Sequence, residues 1–146
     1  MAASPGLTII FATLTGGALV LAEFAAATAR SMGVPARLSD AATYDLKGLP
    51  DEKTILIITS THEGEPPYDA MEFFDELDES PLQLRALKYA VVGLGDTAYD
   101  EFCAAAKRID RRLEALGAKR VRVRKDLDVH ESAIGRDWIV NLMQAL

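Results

Sequence analysis

Three runs of strand length, Leu7–Phe11, Thr54–Thr59 and Lys88–Leu94, are almost continuously apolar rather than alternating. Alternation marks a strand with one wet face, whereas unbroken apolarity marks a strand covered on both. Two weaker segments, Val34–Ser39 and Arg120–Arg124, alternate with polar residues and suit the edges of the same sheet. Helical spacing fills the intervals at Ala18–Ser31, Asp69–Glu79, Glu101–Leu116 and Ser132–Ala145. Gly33 and Gly117 stand where two of these helices should stop. The stretch Ala42–Leu49 reads as a short helix or as loop. Strands that alternate with helices build right-handed βαβ units around a parallel sheet. The expectation is one α/β domain over residues 1–146, with five strands in the doubly wound order 2-1-3-4-5 and helices on both faces. In that order the ligand crevice lies beyond the carboxyl ends of strands 1 and 3. The rule selects Ala12–Ala18 and Ser60–Tyr68 before any motif is considered.

Bulk properties narrow the partners. No apolar stretch approaches the roughly 20 residues of a membrane helix, and the start of the chain lacks the pattern of a signal peptide. Cys103 stands alone, so a reducing compartment fits and the cytoplasm is expected. The net charge of −6 is unevenly placed. Between Lys53 and Arg85 there is no cation, while Glu63, Glu65, Asp69, Glu72, Asp75, Glu76, Asp78 and Glu79 crowd together. From Lys107 to Lys125 the sign reverses. Such polarity steers charged partners, although two solvated helix faces would give the same pattern. No aromatic residue interleaves with the basic run, which argues against nucleic acid.

The loop after the first strand, Thr13-Leu14-Thr15-Gly16-Gly17-Ala18, opens the first helix. A helix N-terminus offers free N–H groups and a partial positive charge to an anion. Threonine hydroxyls add donors, and glycines allow close backbone approach. The loop carries no Lys, so it is not a P-loop, and the spacing of a dinucleotide fingerprint is absent. By itself the segment could equally be a tight turn.

Two further loops leave the same sheet edge. One is Ser60-Thr61-His62-Glu63-Gly64-Glu65-Pro66-Pro67-Tyr68-Asp69. The other is Gly93-Leu94-Gly95-Asp96-Thr97-Ala98-Tyr99-Asp100-Glu101-Phe102-Cys103. The three loops together resemble the phosphate loop and the two ring loops of the flavodoxin family, across nearly the whole chain. The third loop and the run through Arg111-Arg112-Leu113-Glu114-Ala115-Leu116-Gly117-Ala118 are similar to the FMN domains of diflavin reductases. Gly16-Gly17-Ala18 and Ser60-Thr61-His62 resemble the short freestanding flavodoxins of the MioC type.

The resemblance implies a flavodoxin-like fold and bound FMN. It implies an electron carrier rather than an enzyme, supplied by an NAD(P)H-dependent reductase and emptied by an acceptor redox enzyme docking on an acidic rim. Tyr99 matches the tyrosine that stacks on the flavin ring, where a flat π-face is needed. Thr13, Leu14, Thr15, Gly16, Gly17 and Ala18 match the phosphate segment, with fewer hydroxyls than many relatives carry. Thr61, His62, Glu63 and Gly64 match the loop beside the ring's N5 edge, one residue shorter than in diflavin reductases. Gly64 is the expected pivot there. His62 stands where relatives place an aromatic on the ring's other face, with Tyr68 as the alternative shield and a simple loop cap as the plainer reading. Gly93, Gly95, Asp96, Phe102 and Cys103 complete the candidate set around the third loop.

Other residues have plainer readings. Cys103 reads as a small buried side chain, and Trp138 as core. Asp126, Asp128 and His130 fit no standard metal spacing, and a solvated loop is expected. No catalytic pairing recommends itself, so no catalytic residue and no metal are expected. Two rival functions remain open at this level: a flavin-dependent NAD(P)H reductase, and a regulatory α/β module without flavin.

Overall fold

The computed structural model describes residues 6–99 and 101–146. Strands β1 (Leu7–Ala12), β2 (Ala36–Asp40), β3 (Thr54–Ser60) and β4 (Lys88–Leu94) form the body of a parallel sheet. Two short strands, β5 (Lys119–Arg120) and β6 (Lys125–Leu127), complete it, both paired with β4. The order is β2-β1-β3-β4-β5, with β6 continuing the edge along the far half of β4. The helices are α1 (Gly17–Ser31), α2 (Met71–Glu79), α3 (Ala104–Ala115) and α4 (Ser132–Ala145).

The continuous apolar runs are explained by two cores, one on each side of the sheet. Ile10, Ile55, Ile57, Tyr89 and Val91 join the core beneath α2 and α3. Their sequence neighbours Ile9, Leu56, Ile58, Ala90 and Val92 join the core beneath α1 and α4. Because successive strand side chains point to opposite faces, a strand covered twice must be apolar at every position. Helix α1 lies against the sheet through Ala18, Ala22, Ala25, Ala26 and Ala29, all buried, so small side chains set the close approach. At Gly93 on β4 an added Cβ would stand 2.6 Å from the Ala106 Cβ, so α3 also rides close to the sheet.

Several expected boundaries move. The edge segment Arg120–Arg124 is not one strand. Tyr89 pairs with Arg120 and Val92 with Lys125, so four residues on the edge, Val121–Arg124, stand against two on β4, Ala90 and Val91, and two residues loop out. The buried carboxylate of Asp110 on α3 accounts for this: it accepts from Arg120 Nε at 2.9 Å, Arg124 Nη1 at 3.0 Å and Tyr89 Oη at 2.7 Å. On a regular strand Arg120 and Arg124 would share a face but stand about 13 Å apart, so the looped-out residues let both guanidiniums reach one carboxylate. Helix α3 starts at Ala104 rather than Glu101, because Glu101 (φ 63) and Cys103 (φ 52) are left-handed. The uncertain Ala42–Leu49 stretch ends in a 3-10 turn, Leu46–Asp51, opened by the Asp45 carboxylate accepting from the Lys47 N–H. Trp138 is only partly buried, at the margin of the α1/α4 core.

Candidate functional site

Doubly wound sheets leave a crevice where the winding reverses. In this chain that point lies beyond β1 and β3, and a cleft of about 580 Å³ opens there. It is built from three loops, each shaped by local hydrogen bonds.

The first loop turns on Gly16, whose φ of 95° is left-handed and whose missing Cβ leaves open space. A side chain at that position would strain the turn. The Thr13 Oγ1 accepts from the Gly16 N–H at 2.8 Å, so this hydroxyl shapes the turn. Helix α1 then begins at Gly17 with no side-chain cap. Its first N–H groups have no intrahelical acceptors, and Thr15 and Gly17 line the cleft beside them. Ala18 is fully buried beneath.

The second loop is a miniature hairpin. The His62 N–H donates to the Glu65 carbonyl at 2.8 Å, and the Glu65 N–H returns to His62 at 2.9 Å. Glu63 (φ 49) and Gly64 (φ 81) form the tip, the double positive φ of a type I′ turn. A Cβ on Gly64 would lie 3.4 Å from Glu101, so the tips of the second and third loops touch. Thr61 fastens the base. Its Oγ1 accepts from the Ala105 N–H at 3.0 Å and supplies the N-terminal cap that α3 does not receive from its own first residue, Cys103.

The third loop carries Tyr99. The Gly95 N–H donates to the Leu127 carbonyl at 2.9 Å. The Asp96 side chain accepts from the Ala98 N–H, and the Asp96 carbonyl accepts from the Tyr99 N–H. Tyr99 itself is 63% exposed at the mouth.

The cleft therefore collects Leu14, Thr15, Gly17, Thr61, His62, Glu63, Gly64, Gly95, Asp96, Tyr99, Phe102 and Cys103 from three separate stretches of sequence. Thr13 and Gly16 are part-exposed in the turn that leads into the cleft, Ala18 is buried beneath it, and Gly93 serves the packing of α3 on β4. Tyr68, the alternative shield, is 81% exposed and does not line the cleft. Cys103 is fully buried, and burial pushes its thiol up to about 12, with Asp126 adding to the shift.

Sequence reasoning missed one whole wall. Val20, Leu21 and Phe24 on α1 face Leu127, Val129, Ser132 and Arg136 across the cleft. The helical spacing of Val20 and Phe24 was readable, but nothing local announced that α4 would bring Arg136 opposite. Among the described residues that line the cleft, Arg136 is the one cation, and its guanidinium carbon stands 6.0 Å from the centre of the Phe24 ring.

The flavodoxin family model matches residues 9–135. The chain belongs to the flavodoxin family. It is 40% identical over 147 residues to the "Sulfite reductase [NADPH] flavoprotein alpha-component" of Vibrio cholerae and 37% identical over 148 residues to that of Neisseria meningitidis. Each alignment covers 99% of this chain but 24% of the relative, so the chain spans about a quarter of those proteins' length. A flavodoxin of Streptococcus pneumonia TIGR4 superposes with a TM-score of 0.83 at 29% identity, covering 95% of this chain and 97% of that one. A short-chain flavodoxin associated with a bacterial microcompartment superposes at 0.85 with 20% identity, over 96% and 95% of the two chains, and shows the shared fold.

FMN is the cofactor of this family and electron transfer its function, and placing FMN at the β1/β3 switch point is the known behaviour of sheets in this order. The residues present fit that group. An uncapped helix N-terminus with a glycine turn suits a phosphate. Phe102, Leu94, Leu127 and Tyr99 offer a flat ring the apolar wall and π-face that it needs. When bound, FMN supplies a centre that takes up and releases electrons singly or in pairs, which none of the cleft's side chains can do.

Proposed function

We propose that this chain is a freestanding electron carrier, holding one FMN in the three-loop cleft and shuttling electrons from an NAD(P)H-dependent reductase to an acceptor redox enzyme. The supporting observation is the cleft itself. It opens to solvent at Tyr99, Glu63 and Glu101, so a bound ring would present an edge to a docking partner. Thr15, Gly17, Thr61, His62, Glu63, Gly64, Gly95, Asp96, Tyr99 and Phe102 are the residues proposed to contact the flavin. The acceptor docks on the acidic side of the mouth, where Glu63, Glu65, Asp96 and Glu101 lie. Asp100, counted with them from the sequence, falls outside the described residues.

Identity to sulfite reductase flavoprotein favours a second reading of the acceptor, namely an enzyme that reduces sulfite. Reduction by NADPH separates the carrier from a reductase. The FMN-loaded protein, alone, should leave NADPH unoxidised, and it should bleach once a flavodoxin reductase is added. Rapid oxidation of NADPH by the protein alone would contradict the carrier reading.

A further inference from the structure

The Tyr99 loop has little to rest on. Thr97, Ala98 and Tyr99 are all exposed, and the two bonds from Asp96 fix the shape of the turn without fixing its place on the sheet. The hydrogen bonds that Gly95 to Tyr99 make to the rest of the molecule, among the described residues, run to one short segment. At the base the Gly95 N–H meets the Leu127 carbonyl. Two residues further out, both hydrogen-bond donors of Thr97 reach the Asp128 carboxylate, the N–H to Oδ1 at 3.2 Å and the Oγ1 to Oδ2 at 2.6 Å. Asp128 is itself held rigidly. Its Oδ1 also accepts from the Val129 N–H at 2.8 Å. Its own N–H donates to Glu131 Oε1 at 2.8 Å, and its carbonyl accepts from the Glu131 N–H at 3.1 Å. This reciprocal pair locks Asp128 onto the start of α4.

We propose that Asp128 is a positioning residue for flavin binding: it clamps the Tyr99 loop through Thr97 and acts on FMN by way of the Tyr99 ring. The inference rests on FMN occupying the cleft. A carboxylate accepting from both donors of one residue is a strong, directional tie. The clamp holds an exposed tyrosine as a preformed stacking surface, so less order must be gained on binding. A ring clamp does not depend on the phosphate, and this separates it from the first loop.

The test measures dissociation constants for FMN and riboflavin in wild type, Thr97→Val, Asp128→Ala and Asp128→Asn, each also in the Tyr99→Ala background. With Tyr99 present, Thr97→Val and Asp128→Ala should each weaken both flavins by the same factor, about tenfold for a lost hydrogen bond to a charged acceptor. They should also recover part of the flavin fluorescence that Tyr99 quenches. Asp128→Asn, which keeps one acceptor for Thr97, should lose less. In the Tyr99→Ala background the clamp variants should cause no further loss. Unchanged affinities, a loss confined to FMN, or equal losses with and without Tyr99 would overturn the proposal. Wild type that binds no flavin would overturn the cofactor reading and this inference with it. Both clamp positions are on exposed loops, and matched melting curves will show that the variants remain folded.

Discussion

Tyr99 and Cys103 are four positions apart and meet the same cleft in opposite ways. Tyr99 stands at the mouth and Cys103 is sealed in its floor. Tyr99→Ala should lower FMN affinity and raise the fluorescence of bound flavin, since the ring loses both an apolar cover and a quencher. Unaltered affinity and fluorescence would place Tyr99 away from the ring. Cys103 should resist alkylation in the native protein from pH 7 to 10 and react on unfolding. Its folded pKa, about 12, is above the ordinary thiol value of about 8.5. The neutral thiol is thus the form the fold prefers, and its contribution is complete below about pH 8.5 and lost as pH rises towards 12. Alkylation at pH 8 as fast as that of a free thiol would contradict this. Both residues were legible in the sequence, Tyr99 from its loop and Cys103 from its alanine neighbours. Arg136 was not, because it enters the cleft only through the packing of α4 beside α1.

At the scale of elements, the sheet was readable because burial on both faces leaves a strong mark on β1, β3 and β4. The last edge was not readable as it stands, since its course is dictated by a side chain on another element. Asp110 is 4% exposed and draws Arg120, Arg124 and Tyr89 together. Arg120 would keep Glu114, Arg124 would keep Asp126 and the Tyr89 hydroxyl would keep the Asp110 carbonyl, but three hydrogen bonds to a buried charge would be lost together. Asp110→Ala should therefore destabilise the protein by about 3 kcal/mol in urea unfolding, while an exposed alanine substitution such as Glu79→Ala should stay within about 0.5 kcal/mol. A change below about 1 kcal/mol would show that the network is dispensable. The same blindness to distant partners hid Glu52, a buried carboxylate that accepts from Thr8, Arg37 and Tyr44.

Over the whole molecule, the acidic and basic segments are not simply two solvated faces. Arg108 on α3 bridges Asp75 and Asp78 on α2 at 2.8 and 2.7 Å. Arg112 donates to the carbonyls of Leu77 and Ser80 at the end of α2. Part of the basic run thus holds the two helices together. Nor does it all lie far from the mouth: Lys107 and Arg111 share a shallow groove with Glu101. The carboxylates lining the cleft, Glu63, Asp96, Glu101 and Asp128, still outnumber its one cation, Arg136, among the described residues, and Glu65 stands beside them in the second loop. Electron transfer from a basic reductase should then slow as salt rises, and slow further in Glu65→Lys with Glu101→Lys, with steering of about 10-fold or more at low ionic strength. Lys107→Glu should act in the opposite direction. Rates indifferent to salt and to all three reversals would remove charge from the docking account.

The central claim is that the cleft of this chain holds FMN, with the α1 N-terminus receiving the phosphate and the Tyr99 loop covering the ring. Titrating the apoprotein with FMN and with riboflavin, followed by flavin fluorescence, tests it most directly. FMN should bind markedly more tightly than riboflavin, and Thr15→Ala should narrow the gap by weakening FMN alone, about 1.5–3 kcal/mol for a hydrogen bond to the charged group. Equal affinity for the two flavins, or binding of neither, would contradict the account.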